Sequence, residues 1–447
     1  MNTPLFDFVK RYREENFLRL HMPGHKGNAS LGCEGLDITE IYGADTLYAE
    51  DGILAESQRN ASRLFGTRKT LYSAEGSTLS IRGMLALVAQ YARFCGEKPI
   101  IAAARNAHRS FLSGCALLDL NPIWLDSREN ASALFDTVTP KDVEGFFHSV
   151  SEKITALYIT SPNYLGQLSD IRGIAEICHR NRCLLLVDNA HGAYLHFLPE
   201  SLHPIDQGAD LCCDSAHKTL PVLTGGAYLH ISKSAPNFFV DNAASAMSLF
   251  SSTSPSYLIL ESLDLCNSYL DSEYREKLLQ GTERISVLKD ELRRLGFVSI
   301  GNEPLKITLR CKDYGYQGDE IARILRTSRI ECEFSDPDYV VMMISPECPP
   351  SSLDRILYAF CGIPRKDPIT VFPPVISHGS LALSPRDAVF SPSESVPISL
   401  SAGRILAQPS LMCPPAIPIA VCGEILTTDS VKAMEYYGIH SVRCVLE

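Results

Sequence analysis

Lys218 follows a short apolar run. The segment Ser215-Ala216-His217-Lys218-Thr219-Leu220 comes directly after Asp210-Leu211-Cys212-Cys213. The lysine therefore falls at the carboxyl end of an expected strand, where ligands bind in open α/β sheets. A free lysine amine has a pKa of about 10.4 and is a poor nucleophile at neutral pH, an obstacle that condensation with an aldehyde removes. Alone, such a lysine is more often a surface residue. Its company changes that. Thirty residues earlier, Leu184-Leu185-Leu186-Val187-Asp188-Asn189-Ala190-His191-Gly192 sets a carboxylate at the end of another apolar run. One helix and one strand fit the gap and bring Asp188 and Lys218 to the same sheet edge. A carboxylate there can keep a pyridine nitrogen protonated, which makes the ring an electron sink. Alone it would be a turn or helix-capping residue.

Two further segments complete the set. Ser73-Ala74-Glu75-Gly76-Ser77-Thr78 enters an expected helix at residues 79–94; backbone N–H groups and hydroxyls at a helix start bind phosphate, although a plain N-cap explains Ser77 or Thr78 as well. Arg105-Asn106-Ala107-His108-Arg109-Ser110 follows an expected strand at 99–103, and the His108 imidazole there can stack on a flat heteroaromatic ring. An amine for an aldehyde, a carboxylate for a pyridine nitrogen, a phosphate cup and a stacking ring together match pyridoxal 5'-phosphate (PLP). No set of metal ligands is expected.

Around these segments, helical and strand-like runs alternate from about residue 50 to 320. Helices are expected at 4–17, 53–64 and 171–181, with strands at 70–72, 154–160 and 183–187. Unbroken apolar runs suit strands covered on both faces, as in a parallel sheet with helices outside. Right-handed crossovers follow from that alternation. Residues 256–295 read as mostly helical. Strands at 305–310 and 339–344 flank a helix at 318–326, which describes a small α+β domain. Pro and Ser become frequent from 363 to 418, yet residues 398–406 and 417–421 are too apolar for a solvated tail, so an ordered C-terminal extension is expected. The domain reading is an N-terminal arm (1–45), a PLP-binding large domain (46–280), a small α+β domain (281–365) and the extension (366–447).

The 447 residues, 45% hydrophobic and 21% charged, have the composition of an ordinary globular protein. A net charge of -11 argues against a nucleic-acid-binding surface, which needs clustered Lys and Arg. Fifteen cysteines without a C-x-x-C pair suit a reduced compartment more than a disulfide framework. The N-terminal MNTPLFDFVKRYREENF carries charges where a signal peptide needs apolar residues. No segment reaches the roughly 18 apolar residues that span a bilayer. A cytoplasmic protein with no membrane partner is expected.

With the four segments aligned, the chain resembles the Orn/Lys/Arg decarboxylase family of fold-type I PLP enzymes, in its shorter bacterial form. The resemblance rests on HMPGHKG at 21–27, GST at 76–78, RNAHRS, TSPNYLG at 160–166, DNAHG, SAHKTLP, STSPSY at 252–257, GRILA, and PPAIPIAVCGE. It implies an aspartate aminotransferase-like large domain with a mostly parallel sheet, a small α+β domain and an extension. It implies PLP on Lys218, Asp188 at the pyridine nitrogen, His108 on the ring face, and His191 near the reacting amine. Ser77, Thr78, Ser215 and His217 would hold the phosphate, with Thr253 reaching that of a neighbouring subunit in a homodimer. Thr160 and Tyr164 would flank the cofactor, and Glu394, with His25 and Lys26 of the HMPGHKG loop, would approach the substrate. The implied reaction is decarboxylation of a basic amino acid: arginine to agmatine first, then lysine to cadaverine or ornithine to putrescine. After carbon dioxide leaves, Lys218 or His217 would return a proton.

The chain departs from the family pattern at Asn189, where a carboxylate is frequent, at Leu79-Ser80-Ile81, at Asn163, and at Gly225-Gly226, where a Gln is common. These leave the lysine, the Asp and the phosphate cup in place. An aminotransferase or C–S lyase of the same fold is the alternative, with Arg310 available to hold a substrate carboxylate. A catalytically silent regulatory paralogue is a third reading.

Overall fold

The computed structural model describes residues 1–28, 30–125, 137–413 and 417–446. Seven strands form the main sheet: β1 (Lys69–Ser73), β2 (Ile101–Ala104), β3 (Ile123–Leu125), β4 (Ala156–Thr160), β5 (Leu184–Asp188), β6 (Leu211–Asp214) and β7 (Ala227–Ile231). Their order is β1-β7-β6-β5-β4-β2-β3. β5 and β6 run parallel, as do β2 and β3, while β7 is antiparallel to both of its neighbours. The sheet is the mostly parallel one expected from the unbroken apolar runs, and those runs are buried along nearly their whole length.

The chain divides into two compact units. The first holds Met1–Pro99, Ile154–Leu157 and Ile171–Glu276; the second holds Ile100–Lys153, Tyr158–Asp170 and Lys277–Glu447. In the first, helix Gly76–Phe94 packs on helix Asn237–Ser248. A Cβ on Gly83 would lie 2.5 Å from the Met247 sulfur, so the Met247 side chain would have to shift to admit one. Helix Pro4–Glu14, shorter than the expected 4–17, buries Leu5 and Val9. The amides of Leu5 and Phe6 donate to Asp264 Oδ2, both at 3.0 Å, and Ser57 Oγ donates to Asp264 Oδ1. A carboxylate at a helix N-terminus is placed where unpaired N–H groups and the helix dipole favour it.

In the second unit, β8 (Val298–Ile300), β9 (Lys306–Arg310), β10 (Phe334–Ser335) and β11 (Tyr339–Met343) form an antiparallel sheet in the order β10-β11-β9-β8. Helix Gly318–Thr327 connects two of them, opened by a capping box between Gln317 and Glu320. The C-terminal stretch is ordered. β12 (Ser393–Pro397) pairs with β15 (Ser441–Val445), and β13 (Ser410–Cys413) with β14 (Ile417–Val421). Ile398, Leu406, Ile419, Leu426, Met434 and Val442 build a core for it. Pro414, Pro415 and Ala416 of PPAIPIAVCGE lie outside the described residues. The fourteen cysteines whose side chains are described are free, and among the described residues no helix is long and apolar enough to cross a membrane.

Helix Tyr257–Ser272 carries two buried acids. Burial pushes the Glu261 carboxyl up to about 8, with Asp37 and Asp264 adding to it. Burial pushes Asp264 up to about 6 against the hydrogen bonds it accepts. Both groups hold protons more tightly folded than unfolded, so stability falls as pH rises from the ordinary carboxylate range through these values. Glu261→Gln is expected to melt like the unsubstituted protein at pH 5 and several degrees above it at pH 9. Calorimetric melting across that range measures the difference, and parallel curves would dismiss the assignment.

Candidate active site

β6 ends at Asp214, and after Ser215 the chain turns through the single-turn helix Ala216–Thr219. Ala216 and Thr219 point into the core, and Lys218 is exposed between them. Its Nζ lies 3.2 Å from His191 Nε2. Asp188, 1% exposed, is the last residue of β5 and stands opposite Cys213 in the parallel ladder. Asp188 Oδ1 accepts from Ala190 N at 3.2 Å and from Cys213 Sγ at 3.5 Å. The two strands thus end in step, with the carboxylate of one and the lysine turn of the other emerging side by side.

Helix Gly76–Phe94 begins three residues before the expected position 79, and its N-cap residue is Glu75, without a side-chain cap bond. Ser77 and Thr78 therefore sit inside the first turn and do not serve as caps. Ser77 Oγ is 2.7 Å from Ser215 Oγ, which joins the helix start to the lysine turn. Ser73 shapes the entry, accepting from Glu75 N and donating to the Gly76 carbonyl.

Gly225-Gly226, the departure after SAHKTLPVLT, binds both segments. Gly76 N donates to the Gly225 carbonyl at 2.7 Å. His217 donates to the Gly226 carbonyl from its backbone N at 3.1 Å and from Nδ1 at 2.9 Å. Gly225 has φ +103°, and a Cβ there would lie 2.9 Å from the Ala74 carbonyl oxygen. A glutamine side chain could not occupy that place. Burial pushes the His217 imidazole below its usual range; with the ring proton on Nδ1, its Nε2 is left as an acceptor.

These groups fit PLP. The amine can meet an aldehyde, the buried carboxylate a pyridine nitrogen, and the helix start with two serine hydroxyls a phosphate. Thr219 Oγ1 is also buried without a hydrogen-bond partner. Leu79, Ser80 and Ile81 are buried in the helix and serve packing. Still in the first unit, His25 pairs with Asp37 Oδ2 at 3.1 Å and accepts from Gly27 N. Lys26 Nζ donates to the His21 carbonyl, so both side chains are engaged within their own loop. Thr253 is exposed, next to Ser252, whose N–H donates to Glu75.

The second unit carries the remaining residues. His108 is the N-cap of helix Arg109–Leu118, its Nδ1 accepting from Ser110 N at 3.2 Å. Thr160 Oγ1 donates to the Asn106 carbonyl. Tyr164 OH donates to Glu333 at 2.9 Å, and Tyr164 packs edge-on to Phe334. Asn163 closes its own turn by a bond from Nδ2 to Gln167. Glu394 pairs with Arg404 of GRILA at 2.8 Å. Arg310 is exposed and pairs with Asp313 at 2.6 Å, which leaves it poorly disposed to hold a substrate carboxylate.

Sequence reasoning missed Glu333, Asp214 and the pairing of Arg105 with Glu424. The last two belong to RNAHRS and PPAIPIAVCGE, and their opposite charges in two singled-out motifs were the available signal. Arg105 grips Glu424 with both terminal nitrogens, at 2.7 and 3.1 Å, and its guanidinium lies over the Trp124 ring.

The family described as Orn/Lys/Arg decarboxylase, major domain, matches residues 3–303. The arginine decarboxylase of Bacillus subtilis is 28% identical over 465 residues, 96% of this chain and 92% of its own. The protein of the same name from Halalkalibacterium halodurans is 28% identical over 463 residues, with the same shares. Among solved structures, Francisella novicida lysine decarboxylase has a TM-score of 0.79 at 17% identity, over 99% of this chain and 81% of that one. For the constitutive lysine decarboxylase of Escherichia coli the TM-score is 0.77 at 17% identity, over 100% and 82%. The structural likenesses establish the fold, an α/β fold of the fold-type I PLP class, as expected from the sequence.

Ser215→Ala removes the hydroxyl that joins Ser77 to the lysine turn. PLP affinity is expected to fall about five- to tenfold, the net worth of one hydrogen bond of ~1–1.5 kcal/mol. Equilibrium dialysis reads this directly, and unchanged affinity would take Ser215 out of the phosphate site.

Proposed function

The chain belongs to the Orn/Lys/Arg decarboxylase family, and from that membership we propose that its substrate is L-arginine, converted to agmatine and carbon dioxide. It is a PLP-dependent decarboxylase of a basic amino acid. The choice of arginine is carried by the end-to-end match to relatives named arginine decarboxylase. Lysine and ornithine follow in that order.

Bound PLP supplies the electron sink for cleavage of the bond between the α-carbon and the carboxylate. In our reading Lys218 Nζ is the attachment point and Asp188 holds the pyridine nitrogen protonated. Ser77, Thr78 and Ser215 hold the phosphate with the first amides of helix Gly76–Phe94, and His108 covers the ring. His191 Nε2, 3.2 Å from Nζ, takes the ammonium proton and frees the amine to react. His217, kept neutral by burial, has a bare Nε2 suited to accept a proton more than to pair with phosphate as a cation. Lys218 Nζ is then the group that delivers a proton to the α-carbon after carbon dioxide leaves.

The substrate is tested by incubating PLP-loaded protein with arginine, lysine and ornithine separately and identifying the amine formed. Agmatine with one equivalent of carbon dioxide supports the assignment. Cadaverine or putrescine alone would reassign the substrate, and a keto acid would reject decarboxylation of any of the three. Lys218→Ala is expected to lose turnover together with the absorbance near roughly 420 nm that lysine-bound PLP gives.

We further assign the working form to a homodimer in which Thr253 of one copy reaches the phosphate held by the other. The exposure of Thr253 and of Lys218 in the single chain supports this. Mixing inactive Lys218→Ala with a Thr253→Ala variant is expected to restore up to about a quarter of the activity, as shared sites in mixed dimers require. No restoration after subunit exchange would dismiss the shared site.

A further inference from the structure

Beneath the lysine turn lies a carboxylate that the proposed reaction does not use. Asp214, fully buried, is the last residue of β6 and directly precedes Ser215. Its Oδ1 accepts from Asn189 Nδ2 at 2.8 Å and from Cys212 Sγ at 3.5 Å. Its Oδ2 accepts from His203 Nε2 at 3.0 Å and His230 Nε2 at 3.1 Å. All three polar partners, Asn189, His203 and His230, are 0% exposed. Burial alone would raise the Asp214 pKa, but His203 and His230 hold it well below the usual carboxylate range. Burial also pushes His230 below its ordinary value. The cluster is thus a buried carboxylate held by the side-chain donors of Asn189, His203, His230 and Cys212.

His203, Asp214 and His230 also lie close enough together to share a metal ion. The hydrogen bonds favour another reading. Ile205 N–H donates to His203 Nδ1 at 3.3 Å, so the ring proton sits on Nε2, facing the carboxylate. A metal there would need a lone pair on that nitrogen.

Asn189 is the residue between Asp188 and the Ala190-His191 pair. Its backbone N donates to the Cys213 carbonyl at 2.9 Å, and its own carbonyl accepts from Gly192 N at 2.8 Å. Gly192 is glycine because a Cβ there would lie 2.0 Å from Asn189 Oδ1. The absence of a side chain at position 192 leaves room for the Asn189 side chain in this pose, with its amide on Asp214. The turn it braces carries the Ala190 N–H that orients the Asp188 carboxylate.

We infer that Asp214 is a positioning residue for PLP, fixing through Asn189 the turn that aims Asp188 and His191, and through its own peptide the turn that carries Lys218. Position 189 must then donate a hydrogen bond for as long as position 214 is a carboxylate. Two carboxylates at this distance in the core would repel strongly. The inference rests on the assignment of Lys218 and Asp188 to PLP, but not on the identity of the substrate.

The test is exchange of the two residues, read on the full chain by PLP titration, by the pH dependence of cofactor absorbance, and by kinetics. Asn189→Asp is expected to weaken PLP binding about tenfold or more, a change of about 1.4 kcal/mol. It should shift the pH midpoint of the absorbance upward by the added negative charge and lower kcat with KM nearly unchanged. Combining it with Asp214→Asn restores one donor facing one acceptor while leaving an oxygen for His203 and His230. PLP affinity and midpoint should return to within about threefold and a few tenths of a pH unit of the starting protein. If Asn189→Asp does not fold, recovery of folding and PLP binding in the double variant is the supporting result. An Asn189→Asp variant that binds PLP normally, or a double variant no better than the worse single one, overturns the inference. Normal PLP binding by the unsubstituted protein is the control; its failure would sink the cofactor assignment itself.

Discussion

Strands β5 and β6 run parallel with Asp188 opposite Cys213, and the site hangs from that register. Side chains alternate between the faces of a sheet, so a slip of one residue would turn each to the other side. The register is held at its last rung by Asn189 N on the Cys213 carbonyl, one residue beyond the strand. Two chain segments then leave the sheet together, one with a carboxylate and a histidine, the other with a lysine. Because both strands are buried along their length, neither can shift without exposing apolar side chains.

In the second unit, polar pairs buried among apolar neighbours do comparable work. Lys306 and Glu303, each about 1% exposed at the side chain, pair at 3.0 Å beneath Tyr164, whose carbonyl Lys306 also binds. Lys312 and Asp338 pair at 2.7 Å, and both meet Tyr436 of the C-terminal helix Thr428–Tyr436. Pairs of this kind add little net stability over well-packed apolar groups, but they tolerate few alternative arrangements. They fix which segment lies against which.

Much of this is legible in the amino-acid sequence. Apolar runs of four or five residues announced β5 and β6, and the residues at their ends, Asp188 and Lys218, announced the chemistry. The ordered C-terminal stretch was legible too, because residues 398–406 and 417–421 are too apolar to be solvated. Helix Gly76–Phe94 starts three residues before the expected position 79, since Gly76, with φ +70°, and the hydroxyls of Ser77 and Thr78 have the character of turn and cap residues. Asn189 and Gly225-Gly226 stood out only as departures. What each does depends on a partner distant in sequence (Asp214, Ala74, Gly76), and pairwise geometry of that kind leaves no periodicity to read. Asp214 was invisible for the same reason, one more polar residue after an apolar run.

The grip of Arg105 on Glu424 bears on how the chain tolerates shortening. The C-terminal segment is tied by a charge that lies 9% exposed, above the chain's single tryptophan. A truncation before Glu424 strands the guanidinium in the interior, where losing one member of a buried pair costs about 3–5 kcal/mol. That is a large part of a domain's whole margin. Shortening past Glu424 therefore adds an abandoned buried charge to the apolar contacts that Leu426, Met434 and Val442 would already have taken with them.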